Sequence, residues 1–164
     1  WDSTRWGNLR KVFQKARKIH EYLEAPASAA NVAMVLSELS AVPFYEDFAP
    51  WSMERRWVQH QVALWTALNQ SQLPTDLIWA ETMTPEKLGR YKVLVLADAK
   101  IVTDAQAEAL RNWVRDGGVL IASGTTSLFG PLAEQRKDYL LADVFGVDFR
   151  KHVGVDDPER IASG

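Results

Sequence analysis

Cysteine is missing from all 164 residues. That excludes disulfides, thiolate zinc sites and a cysteine nucleophile within this chain. No apolar run approaches the ~18 residues of a membrane-spanning helix. The first twenty residues are basic and amphipathic, and lack the apolar stretch of a secretory signal. Charge of one sign is missing too: 19 basic against 21 acidic residues leave a formal charge of −2. A nucleic-acid-binding domain usually shows a clearly basic balance, so no such partner is expected, and no membrane either. Neither glycine motif that cradles phosphates, G-x-G-x-x-G or G-x-x-x-x-G-K-[ST], occurs.

What is present is apolar. Such residues make up 47% of the chain, enough for a core and too many for a disordered chain. At ~100–200 residues per domain the length fits one domain. The chain starts at Trp1 rather than Met, which reads as a piece of a longer polypeptide.

Along the chain, periods of three and four alternate with short apolar runs. Leu9, Val12, Phe13, Ala16, Ile19 and Leu23 share one face of a helix expected over residues 4–24. Six Lys or Arg occupy much of its remainder: Arg5, Arg10, Lys11, Lys15, Arg17 and Lys18. A solvated face opposite an apolar stripe accounts for them, and the stripe suits association with another domain or subunit. Residues 24–30 read as a linker. Asn31–Leu36, Asp76–Ala80, Lys92–Ala97 and Val119–Ser123 are nearly all-apolar runs, as strands covered on both faces would be. Residues 37–51, with two prolines and no period, read as a long loop. A helix is expected over Met53–Asn69, capped by Ser52. Thr84-Pro85 marks a helical turn. Thr103 and Gln106 form a capping box that opens a helix ended by Gly117-Gly118. Asp138–Phe145 looks helical, with Gly146 as its stop. Val147–Val155 has room for a fifth strand. This alternation argues for an α/β fold with a parallel sheet in the order 2-1-3-4, plus an N-terminal amphipathic helix. Three stretches follow: residues 1–30 as helix and linker from a preceding domain, 31–155 as the α/β domain, and 156–164 as a tail.

In such sheets ligands sit beyond the carboxyl ends of the strands. Those ends offer Glu38, Glu81, Asp98, Ser123 and Thr125 as the candidate site. Ser123 ends a strand, where a nucleophile elbow would sit, but the glycine two residues before it is absent. A serine nucleophile also needs an imidazole base, and His20, His60 and His152 are not placed for that by sequence. The three carboxylates would suit a magnesium ion only with phosphate oxygens added, and read first as solvated strand ends and caps. No metal or cofactor is expected. Seven tryptophans are present. Trp57, Trp65, Trp79 and Trp113 read as core or helix-packing residues. The loop holding Phe44, Tyr45, Phe48 and Trp51 is an aromatic cluster suited to an interface, and unstructured loops of this length usually have a use. With Phe13 these four residues form the candidate interface.

One stretch carries a resemblance. Tyr-Lys-Val-Leu-Val-Leu from Tyr91, Thr-Asp-Ala-Gln-Ala-Glu-Ala-Leu-Arg-Asn-Trp-Val-Arg-Asp-Gly-Gly from Thr103, Leu-Ile-Ala-Ser-Gly-Thr-Thr-Ser-Leu from Leu120 and Leu-Ala-Asp-Val-Phe-Gly-Val from Leu141 resemble the trimerisation domain of family 42 bacterial β-galactosidases. The earlier strands fit the same layout, so the resemblance runs from about Asn31 to Val147. It implies a three-layer flavodoxin-like, class I glutamine amidotransferase-like fold with no activity of its own. In active relatives a cysteine follows the strand that here is Val119–Ser123. Ser123 stands near that place, with no histidine expected beside it. The sugar-cleaving carboxylates would belong to a preceding (β/α)8 barrel, and the partners would be that barrel and further copies of the chain. Two other functions remain open at this point: a divergent amidotransferase-like hydrolase using Ser123, and a sugar- or small-ligand-binding module.

Overall fold

The computed structural model describes residues 3–20, 28–44 and 56–151. Its centre is a parallel sheet of β1 (Val32–Leu36), β2 (Thr75–Trp79), β3 (Val93–Leu96) and β4 (Val119–Ala122), in the order β2-β1-β3-β4. Around it lie α1 (Ser3–Lys18), α2 (Glu38–Ala41), α3 (Arg56–Gln70), α4 (Pro85–Leu88), α5 (Asp104–Arg115) and α6 (Ala142–Phe145). The expected strand order and α/β class are both present.

Strand parity decides where the core sits. Ile78, Val35 and Leu96 line up across the sheet on one face, as do Ala33 and Leu94 one pleat away. That face is buried against Leu88 of α4, Ala107, Leu110 and Trp113 of α5, and Leu141. Each fully buried leucine here contributes about 1.5–3 kcal/mol by leaving water. The start of α5 is fixed by its box: Thr103 accepts from the Gln106 amide at 3.3 Å, and Gln106 accepts from the Thr103 amide at 2.9 Å. The Trp113 indole donates to the Leu88 carbonyl at 3.0 Å, tying α5 to α4. Gly118 is required by this ring, because a Cβ there would lie 2.4 Å from it. Tyr91 donates to Asp76 at 2.8 Å. Burial, and then that carboxylate, push its phenol above its ordinary pKa.

The other face carries Leu77, Met34, Val95 and Ile121 in one row and Thr75, Val32, Val93 and Val119 in the next. Its middle, Met34 and Val95, is buried, but its flanks are open to solvent. The expectation of a sheet covered throughout on both faces therefore fails at β2 and β4. Trp79, expected in the core, is half exposed.

Other differences have local causes. Residues 37–44 are not a plain loop: Ser37 accepts from the Ser40 amide at 3.1 Å and caps α2. The expected linker ends in a tether, since Ser28 donates to Asp76 at 2.7 Å and Ala30 is buried. The helix expected from Asp138 begins only at Ala142. The Asp138 carboxylate takes the amides of Tyr139 and Phe149, both at 2.7 Å, and the Ser127 hydroxyl takes that of Leu141 at 3.3 Å. Gly146, with φ 68°, stops the helix as expected. No strand forms over residues 147–151, where the Phe149 ring meets the edge of Tyr139 at 5.8 Å. The remainder of the segment proposed for a fifth strand, and the Ser52 cap, lie outside the described residues.

Candidate functional site

The carboxyl ends of the strands do not gather the candidate carboxylates. Glu38 is exposed at the start of α2. Glu81, after β2, accepts the amide of Leu39 at 3.2 Å and so ties that end to α2. Asp98, after β3, is engaged instead by Lys100 and by the loop after β4. It accepts the Thr125 amide at 2.8 Å and the Thr125 hydroxyl at 3.0 Å, and pairs with Lys100 at 2.9 Å. Thr125 in turn accepts from Lys100 at 3.0 Å. Asp98 stands at φ 51°, in the left-handed region that favours glycine. Gly124 approaches it so closely that a Cβ would fall 2.5 Å from its carboxylate. Asp98 is thus a pin that draws the loop after β4 onto the end of β3. Among the described residues no three His, Cys, Asp or Glu side chains stand together as a metal site would require.

Ser123 has a partner that the sequence reading denied it. The His60 Nε2 atom, from α3, lies 2.7 Å from its hydroxyl. Gln61 of the same helix donates to the Ala97 carbonyl at 3.3 Å, so two consecutive residues hold α3 to the sheet. A serine–imidazole contact is the first half of a nucleophile. The second half is a group that orients the ring from its other nitrogen, and none provides it among the described residues. The contact acts as a latch between α3 and β4. It was legible in principle, because a helix that follows a strand of a parallel sheet begins at the carboxyl edge. His60 falls in the first turns of α3, at that edge.

Lys100 was also missed. Besides Asp98 and Thr125 it faces the ring of Phe44 at 5.3 Å, within the range of a cation–π contact. Phe44 itself packs edge-on against Phe129, with centroids 5.0 Å apart. This candidate interface residue is half-buried within its own chain. Tyr45, Phe48 and Trp51 lie outside the described residues, while Phe13 is 65% exposed on α1. The Ser37 and Ser40 hydroxyls, 2.9 Å apart, close on the backbone of Ile101. A cleft of about 400 Å³ runs beside β4. It is lined by Leu120, Ala122 and Ser123, and by Val144, Phe145 and Val147 opposite. Polar and apolar surface share its walls about equally, and no charged residue lines it.

The chain matches no curated protein sequence. Solved structures do resemble it. A β-galactosidase from Bifidobacterium adolescentis aligns at 17% identity with TM-score 0.64, over 77% of this chain and 58% of that one. A β-galactosidase from the psychrophilic Marinomonas ef1 aligns at 21% identity with TM-score 0.60, over 82% and 20%. A catalytic mutant of Gan42B, a GH42 β-galactosidase from G. stearothermophilus, aligns at 19% with TM-score 0.64, over 89% and 22%. At these identities the likeness is one of fold, and the chain spans about a fifth of the length of the last two. The family model described as the β-galactosidase trimerisation domain matches residues 30–160, the greater part of the sequence. The chain therefore belongs to the β-galactosidase trimerisation domain family, as a non-catalytic accessory domain.

Proposed function

We propose that this chain is the self-association module of a β-galactosidase-like glycoside hydrolase, holding copies together while the sugar chemistry belongs to a preceding (β/α)8 barrel. The family match over residues 30–160 carries the reading. The site agrees with it: Asp98, Thr125 and Ser123 are occupied with bonds inside the chain. Residues 1–30 serve as the connection from that barrel, with the apolar row of α1 seated against it. Residues 31–155 form the associating unit and 156–164 its tail.

Sedimentation equilibrium of the 164-residue chain tests this. The expected mass is three times the 18.5 kDa of one copy, with no hydrolysis of a nitrophenyl galactoside. A single-copy mass at every concentration, or turnover lost on changing Ser123, overturns it.

A further inference from the structure

We propose that copies of this chain meet through the two flanks of the second sheet face, the β2 flank of one copy against the β4 flank of the next. The inference rests on the self-association reading above and says where that association happens.

Four side chains carry it. Leu77 and Trp79 in β2 are 48% and 52% exposed, and Val119 and Ile121 in β4 are 54% and 50% exposed. Single exposed apolar residues are ordinary. These come as pairs, two residues apart on one strand, so each pair forms a continuous apolar step on the same face of the sheet. Both strands are also edges, since β2 pairs only with β1 and β4 only with β3 among the described residues. Edge strands are normally guarded by charge, proline or a bulge. Here they are not. The β4 sequence Val-Leu-Ile-Ala has no charge, and the one charge of β2, Asp76, points to the opposite face, where Ser28 and Tyr91 bond it.

Symmetry then selects the occupant. Three copies in a closed ring make heterologous contacts, in which one patch meets a different patch on the next copy. Each copy therefore needs two separate surfaces. The flanks lie at opposite ends of the sheet and differ in shape: β2 presents a large aromatic ring, an anchor of the kind that dominates interfaces, while β4 presents short branched side chains. A second copy of this chain satisfies both at once.

The test uses Trp79→Glu and Ile121→Glu in the full 164-residue chain, by sedimentation velocity at a concentration where the unchanged chain is trimeric. Each variant alone should sediment as one copy, with far-UV circular dichroism as in the unchanged chain. An equimolar mixture should give a pair and nothing larger, because each variant keeps one intact flank. Variants that still form trimers overturn the assignment and leave self-association standing. So does a mixture that stays at one copy or passes beyond a pair. An unchanged chain that never associates overturns the parent reading instead. Hydrogen exchange of the unchanged chain covers the case of misfolded variants: β2 and β4 amides should exchange at least tenfold faster on dilution to one copy, and equal rates overturn the proposal.

Discussion

Two amphipathic helices of this chain meet different fates. α5 buries Ala107, Leu110 and Trp113, starts at a complete capping box and ends with Arg115 near its negative pole. α1 has a similar period and a basic last turn of Lys15, Arg17 and Lys18, but no acid in its first turn. Its Leu9, Val12 and Phe13 are exposed. A helix of this length is marginal alone in water, so the stripe marks a place for a neighbour. Periodicity shows that a face needs covering. What covers it is decided elsewhere in the fold, or in another domain.

The sharpest way to break this comparison is to truncate one side chain on each helix. Leu110→Ala should cost about 2–5 kcal/mol, through lost burial and the cavity left behind. Phe13→Ala should change the urea midpoint of the isolated chain by less than about 0.5 kcal/mol equivalent. Equal losses would mean that α1 is part of the same core. Gly118→Ala comes next. Its methyl group collides with the Trp113 ring, and overpacking of this kind costs about 1–3 kcal/mol; thermal melting should show it. Thr103→Ala removes the cap of α5, at about 1 kcal/mol, read from denaturant unfolding.

The smallest effect concerns pH. Arg111 donates to Asp143 at 2.8 Å and to the Leu140 carbonyl at 2.6 Å, joining α5 to α6. The Arg111 hydrogen bond holds the Asp143 carboxyl below its ordinary pKa. A depressed carboxylate stabilises the fold above its unfolded pKa, and that stability is lost as pH falls through the folded value. The pair is largely exposed, so its worth is about 0.2–1 kcal/mol. Asp143→Asn should lower stability at pH values above the ordinary carboxylate pKa of about 4; the deficit should shrink as pH falls below that value and vanish once Asp143 is protonated in the folded chain as well, which urea unfolding across an acid series checks.

Much of this architecture was readable in local chemistry. The four apolar runs gave the strands within a residue or two, and Thr84, Thr103 and Gly146 gave three helix ends through caps whose geometry is local. The failures share a different cause. Ser127, fourteen residues upstream, takes the Leu141 amide that the expected helix would have used, while Asp138 takes the amides of its neighbour Tyr139 and of Phe149, beyond that helix. The Ser37 cap was hidden by the prolines that follow it. The latch between His60 and Ser123 spans 63 residues, so only the topology brings the two together. The same holds for Asp98: its role as a pin depends on Thr125 and Gly124 arriving from the end of the next strand.

The placing of two tryptophans has an optical consequence. The Trp113 indole lies in the core with its N–H on a carbonyl, while the Trp79 ring is half in water. Iodide will dim the second and spare the first. The share of emission that resists the quencher is weighted toward the interior, and the share that yields to it toward the rim of the sheet.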